Sequence, residues 1–177
     1  MEVNQVDVLV TGAAIVGRGL RSYDAVVREL ITQAEDEIMI AAYNITSSAF
    51  DVLDIIESRL KAGVRVRLVV NRYANLKKDV KARLESLNQD YNHFLLFSFI
   101  PRKNEGHMHA KALVFDRKKA IVGSTNLSHN GLVNSHEISI MVDGPAALEV
   151  ADAIDRMLMN QRSNLKVVGE NGKAAKF

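Results

Sequence analysis

The stretch His109–Asn126, HAKALVFDRKKAIVGSTN, reads as two strands joined by a tight turn. The apolar residues of each run flank Arg117-Lys118-Lys119, a short charged segment of hairpin-turn length. Strand side chains alternate faces, so His109 and Lys111 share one face, and so do Ser124 and Asn126. Closing the hairpin symmetrically about Arg117-Lys118 sets His109 opposite Asn126 and Lys111 opposite Ser124. The same face then continues as Leu113 with Val122 and Phe115 with Ala120. The reading predicts a hairpin that is core at its turn and polar at its open end.

The polar end has a definite chemistry. Lys111 supplies a fixed positive charge, and Ser124 and Asn126 supply neutral donors. Such a set suits a tetrahedral oxyanion such as phosphate. His109 supplies a nucleophile or an acid–base group near neutral pH. Glu137, which begins the next strand, is placed to hydrogen-bond an imidazole nitrogen and fix its tautomer. Asp116 lies at the turn, where capping turn amides is favoured over a catalytic role. His107 and His109 would suit one edge of a zinc site, but no further ligand cluster accompanies them. His107 therefore reads as a neighbour of the site or a substrate contact. His129 and His136 read as surface or supporting histidines, and His93 as a residue following a helix end. Lys77, Lys78 and Lys81 form a basic helix face, either solvated or against a phosphate backbone.

Upstream, apolar runs alternate with amphipathic segments. Strands are expected at Val6–Val10, Glu37–Asn44, Val64–Asn71 and Phe94–Ile100. Helices are expected over Tyr23–Glu35, capped by Ser22, and over Ala49–Ala62, with Ser48 and Asp51 as a capping box. A third opens at Asn75, carrying Leu76, Val80, Leu84 and Leu87 on one stripe. Arg65 and Arg67 alternate with apolar residues, so in a central strand they must snorkel or pair. After the hairpin come a strand over Glu137–Val142 and a helix from Pro145 to Asn160. The expected fold is α/β: a mixed, largely parallel sheet with helices on both faces, an α-β-α sandwich. Residues 1–162 read as one catalytic domain and 163–177 as a flexible C-terminal tail.

Composition sets the outer limits. The chain has 177 residues, 47% hydrophobic and 25% charged, with a formal net charge of +2. A chain this long buries roughly 70% of its unfolded surface, so a core forms without staples. Disordered and collagen-like classes are excluded. Any basic surface must come from local clustering, because the bulk charge is nearly balanced. With no cysteine, disulfides, thiol nucleophiles and Cys-type zinc sites are excluded. Met1–Asp7 lacks the basic start of a signal peptide, and no run approaches the ~20 apolar residues of a membrane span. The expected location is cytoplasmic.

The spacing H-x-K-x4-D, then x6-G-S-x-N, carried by His109, Lys111, Asp116, Gly123, Ser124 and Asn126, resembles the signature of the phospholipase D superfamily. Gly131, Leu132 and Glu137 resemble its G-L-x-x-N-x-E continuation, with Ser135 at the Asn position and Asn134 one place early. The resemblance implies a covalent phosphohistidine formed by one His, while a second His protonates the leaving oxygen. It implies no metal and no other cofactor. It gives catalytic roles to His109, Lys111, Asn126 and Glu137, and phosphate binding to Lys111, Ser124 and Asn126. Asp116, Gly123 and Glu137 take structural or orienting roles. This chain has one motif copy, as do small family members that pair as homodimers, so a homodimer with both His109 residues at one phosphate is implied. The implied activity is a metal-independent phosphodiesterase, an endonuclease acting on nucleic acid, DNA ahead of RNA. The alternatives are a phospholipid-directed phosphodiesterase and a non-catalytic nucleic-acid-binding subunit of a larger complex. A recognition or helicase partner protein is compatible with either nucleic-acid reading.

Overall fold

A computed structural model describes residues 3–17, 19–101, 103–160 and 165–167. The chain begins with β1 (Gln5–Thr11), the two-residue β2 (Arg21–Ser22), α1 (Tyr23–Gln33) and β3 (Glu37–Ala42). It continues through α2 (Phe50–Lys61), β4 (Arg65–Asn71), α3 (Lys78–Asp90) and β5 (Phe94–Phe99). Then come β6 (Ala112–Phe115), β7 (Lys119–Gly123), β8 (Glu137–Asp143), α4 (Pro145–Asn160) and β9 (Leu165–Val167).

The strand–helix alternation from β3 to β5 forms the parallel block its sequence demands. Ile38 pairs level with Val66, and Val66 with Phe94, with α2 and α3 as the crossovers. Every residue of β3 is buried, as in a strand covered on both faces. The sheet as a whole departs from expectation. Its order is β2-β1-β8-β7-β6-β3-β4-β5-β9. Among the described residues three of its pairings are parallel and five antiparallel. The expectation of a largely parallel sheet is corrected, because crossover helices occur only between β3 and β5. After β5 only the β6–β7 connection is a tight turn, and each strand from β6 to β9 runs antiparallel to its sheet neighbours.

Two apolar layers cover the sheet. One carries Val26, Val27 and Ile31 of α1, Val52 and Ile56 of α2, and Val80 and Leu84 of α3. They pack on Ile38, Ile40, Leu68, Val70 and Leu96 of the sheet. The other carries Ala147, Ala151, Ile154 and Leu158 of α4, on Met39, Val69, Phe97 and Val114. Their near-helical spacing on α4 gives one stripe toward the sheet. Between α4 and the sheet lies an ion cluster. Arg67 pairs with Glu37 at 2.7 Å and with Asp155 at 2.6 Å. Arg117 pairs with the same two acids at 3.2 and 2.6 Å. Arg67 thus pairs instead of snorkelling, and the hairpin turn is tied to α4.

Three local expectations change. The Ser48–Asp51 capping box does not form: the Ser48 hydroxyl meets that of Thr46 at 2.7 Å, while Arg28 donates to Asp51 at 2.5 Å. The third helix starts at Lys78, after a 3-10 turn over Tyr73–Asn75. Leu165–Val167, within the expected tail, pair antiparallel with β5; the tail's other residues from 163 onward lie outside the described residues. Among the described residues no helix is long and apolar enough to cross a membrane.

Candidate active site

The turn of the β6–β7 hairpin decides which side chains face the site. Asp116 and Arg117 are both left-handed, at φ 51° and 55°, and the Lys118 N–H donates to the Phe115 carbonyl at 3.0 Å. Two consecutive positive φ values mark a primed hairpin turn, unusual without glycine. Asp116 holds it. Its carboxylate accepts backbone N–H bonds from Glu35, Asp36 and Glu37 at 3.0, 2.8 and 2.9 Å, and its own N–H donates to the Glu37 carbonyl. Partial burial pushes this carboxyl up, but the three amides and Lys118 outweigh it, so the carboxyl sits below its ordinary value.

This turn leaves three residues between Phe115 and its partner Lys119, where the symmetric closure needs four. Leu113 therefore faces Ile121 and Ala112 faces Val122, correcting the expected Leu113–Val122 and Phe115–Ala120 pairs. A one-residue slip exchanges faces. Lys111 is level with Gly123, whose N–H donates to the Lys111 carbonyl at 3.2 Å. The expected pairing of Lys111 with Ser124 and of His109 with Asn126 is corrected with it.

His109 and Lys111 do come together. They stand just before β6, at the sheet end where β3 and β4 finish, the usual place for a site in such sheets. Lys111 is 8% exposed, and its ammonium lies 3.0 Å from His109 Nδ1 and 3.3 Å from Nε2, and donates to the His109 carbonyl at 2.8 Å. Burial pulls the ammonium below its ordinary value, and the charge of Glu137 works against that pull. The Tyr43 ring lies 4.5 Å from the His109 ring, tilted 56°, and 4.9 Å from the Lys111 ammonium. His109 is exposed. An accessible imidazole beside a cation can attack an electrophile whose charge the cation holds.

The remaining motif residues line the other wall. The Ser124 hydroxyl donates to the Glu137 carboxylate, so the expected Glu137–imidazole bond is replaced by a Glu137–serine bond. Ser124 N–H donates to the Ile138 carbonyl at 3.3 Å. Glu137 also raises the phenol of the buried Tyr23, after burial itself and Asp24. Among the described residues the Asn126 Oδ1 is buried and makes no hydrogen bond. Gly123 has no room for a side chain, because a Cβ there would stand 2.6 Å from the Ser139 Cα.

The other histidines have their own surroundings. His107 and His129 are exposed, His136 packs against Gly12, and His93 bonds the Leu60 carbonyl at 2.9 Å. Among the described residues no group of three His, Asp or Glu side chains is arranged to hold a metal ion. Two contributors escaped the sequence reading. Tyr43 looked like a strand residue, and only its place at the end of a parallel strand pointed to the site. Thr125 and Ser139, whose hydroxyls meet at 3.1 Å in a buried pair, fasten β8 beside the segment leading to Asn126. No spacing signal marked that pair.

The family model described as "Cardiolipin synthase, PLD-like domain" matches residues 27–160. The DISARM protein DrmC of Bacillus paralicheniformis is 28% identical over 144 residues, 80% of this chain. The match spans 58% of that longer protein. Among solved structures, Nuc of Salmonella typhimurium, a phospholipase D family member, superposes with a TM-score of 0.72 at 18% identity, covering 95% of this chain and 100% of Nuc. NucT of Helicobacter pylori gives 0.70 at 18% identity, over 93% and 99% of the two chains. The phosphatidylserine synthase of Haemophilus influenzae Rd KW20 gives 0.69 at 15% identity, over 95% of this chain and 41% of the synthase. These structures share its fold, and the family model covers the residues from α1 through α4, His109 and Lys111 included: the chain belongs to the PLD-like domain family, within the phospholipase D superfamily.

Proposed function

We propose that this chain is a metal-independent phosphodiesterase that cleaves nucleic acid through a phosphohistidine on His109. The observation that carries the reading is the buried Lys111 ammonium 3.0 Å from the exposed His109 imidazole. In the first step a ring nitrogen of His109 forms a bond to phosphorus as the ester P–O bond breaks. The leaving oxygen takes its proton from a second imidazole. Water then attacks phosphorus, gives a proton to that imidazole, and the P–N bond breaks, restoring His109. Lys111 and Asn126 hold the non-bridging oxygens, with Ser124 beside them and Glu137 orienting Ser124.

The second imidazole is His109 of a second copy, related by a two-fold axis. An apolar face on the sheet supports this pairing. Val8 lies beside Ile140, Ile140 beside Val122, and Ile138 beside Val10. Val8, Val122, Ile138 and Ile140 are all exposed, Ile138 to 61%. Ile138 directly follows Glu137 in β8, so the two side chains leave opposite faces of the strand and the apolar face lies behind the strand end that carries Glu137. A contiguous exposed apolar patch fits an interface.

Nucleic acid, DNA ahead of RNA, is preferred as substrate because the chain carries one motif copy, as the compact nucleic-acid-cleaving members it resembles do, and has no aromatic-rich amphipathic stretch for a bilayer surface. A lipid phosphodiester is the second reading, favoured by the cardiolipin synthase description of the family model. The DISARM relative is longer than the matched segment, so recognition supplied by a partner protein stays within the nucleic-acid reading. Plasmid DNA, RNA and phosphatidylcholine vesicles, each incubated in EDTA with wild type and with His109→Ala, test these readings. Cleavage of nucleic acid by wild type alone supports the first. Turnover of the vesicles alone supports the second.

A further inference from the structure

We propose that Tyr43 is a positioning residue of this site, holding the His109 imidazole and the Lys111 ammonium in one reactive arrangement. The inference rests on the phosphodiesterase reading and names a residue outside the motif. Neither His109 nor Lys111 lies in a strand, since β6 begins at Ala112. The Lys111 carbonyl accepts one ladder-type bond, from the Gly123 N–H at 3.2 Å, but such a bond holds backbone and not side chain, and something else must limit the two side chains.

Tyr43 touches both. Its ring lies 4.5 Å from the His109 ring and 4.9 Å from the Lys111 ammonium. The tilted ring contact walls the imidazole on one side, which restricts its rotation. The ring face attracts the ammonium and favours its charged form against burial. Tyr43 is itself well anchored. It follows the fully buried β3 directly, and the Thr46 N–H donates to the Leu127 carbonyl at 3.0 Å. Ile45 and Leu127 form a parallel bridge at the same place. The segment bearing Tyr43 is thus pinned to the segment bearing Asn126. The phenol hydroxyl makes no hydrogen bond among the described residues, so the ring is what acts. Tyr43 is only half-buried, so shortening it opens no sealed cavity.

The test compares Tyr43→Phe and Tyr43→Leu in the full chain, on bis(p-nitrophenyl) phosphate, with unfolding temperature as a control. Tyr43→Phe is expected to stay close to wild type. Tyr43→Leu is expected to lose about 10- to 100-fold in kcat, with little change in KM or unfolding temperature, as for a misplaced reacting group. NMR of the His109 ring protons gives a readout independent of turnover. Their ring-current shift should persist in Tyr43→Phe and vanish in Tyr43→Leu. Wild-type kcat in Tyr43→Leu, or equal losses in both variants, overturns the proposal. A wild type inactive on every phosphodiester defeats the parent reading instead, and the ring-current shift then decides the positioning claim alone.

Discussion

The Lys111 ammonium stands 3.0 Å from Nδ1 of His109 and donates to the same residue's carbonyl at 2.8 Å. The cation therefore faces the imidazole that the proposed reaction uses as nucleophile. An entering phosphate offers it a stronger, anionic acceptor. Under the proposed mechanism the lysine turns from His109 to the phosphate oxygens and neutralises the electrophile. Lys111→Met keeps the buried apolar stem and removes the charge. Turnover of bis(p-nitrophenyl) phosphate is expected to fall about 10²- to 10³-fold with the fold retained, the usual loss on removing one charge-stabilising donor. Lys111→Met turning over at the wild-type rate would remove the cation from the mechanism.

Asp116 governs the hairpin through the three amides of residues 35–37. Asp116→Ala takes the carboxylate from those three amides, of which only that of Glu37 belongs to a buried residue, and removes what offsets two left-handed residues. It should cost about 2–4 kcal/mol of stability in urea unfolding. Activity should fall further than stability does, because the turn also sets the register below Lys111.

Acid should weaken the fold. Arg83, Lys61 and Tyr91 hold the Glu57 carboxyl near 2, against the cost of desolvation. Burial raises Asp116 and Asp155, but amides in the first case, and Arg117 and Arg67 in the second, leave both below the ordinary value. A depressed carboxyl contributes stability that is complete above its unfolded pKa, about 4, and is lost as pH falls through the folded one. Thermal unfolding should be flat from pH 7 to about 5 and drop steeply below about 4. A Tm that holds to pH 2.5 contradicts the assignment.

The composite site requires association. Ile138→Asp places a charge on the exposed apolar face without touching the core. It should shift sedimentation from dimer to monomer and abolish cleavage while the unfolding temperature stays near wild type. Wild-type subunits exchanged with excess His109→Ala should lose activity beyond simple dilution. A monomer by sedimentation that cleaves at full rate would move the proton donor to His129 or His136.

Much of this was legible in the residues. The apolar runs of β3, β4 and β5 and the amphipathic segments between them read as a parallel block because crossovers need helices. Strand alternation predicted one face for His109 and Lys111, although the structure places both before β6. The register was not legible, because the positive φ of Asp116 depends on amides about 80 positions upstream. With the register went the partner of Glu137, which bonds Ser124 instead of an imidazole. Tyr43 read only as part of the strand expected at Glu37–Asn44, since an aromatic residue at a strand end carries no mark of what packs against it.

The central claim is that His109 becomes covalently bound to phosphorus. Wild type should be mixed with a labelled oligonucleotide in EDTA, quenched within the first turnovers at alkaline pH, digested and analysed by mass spectrometry. The account predicts a phosphonucleotide adduct on the peptide containing His109, absent from His109→Ala. Cleavage with no adduct on any histidine, an adduct on His129 or His136, or cleavage restored only by a divalent ion would contradict it.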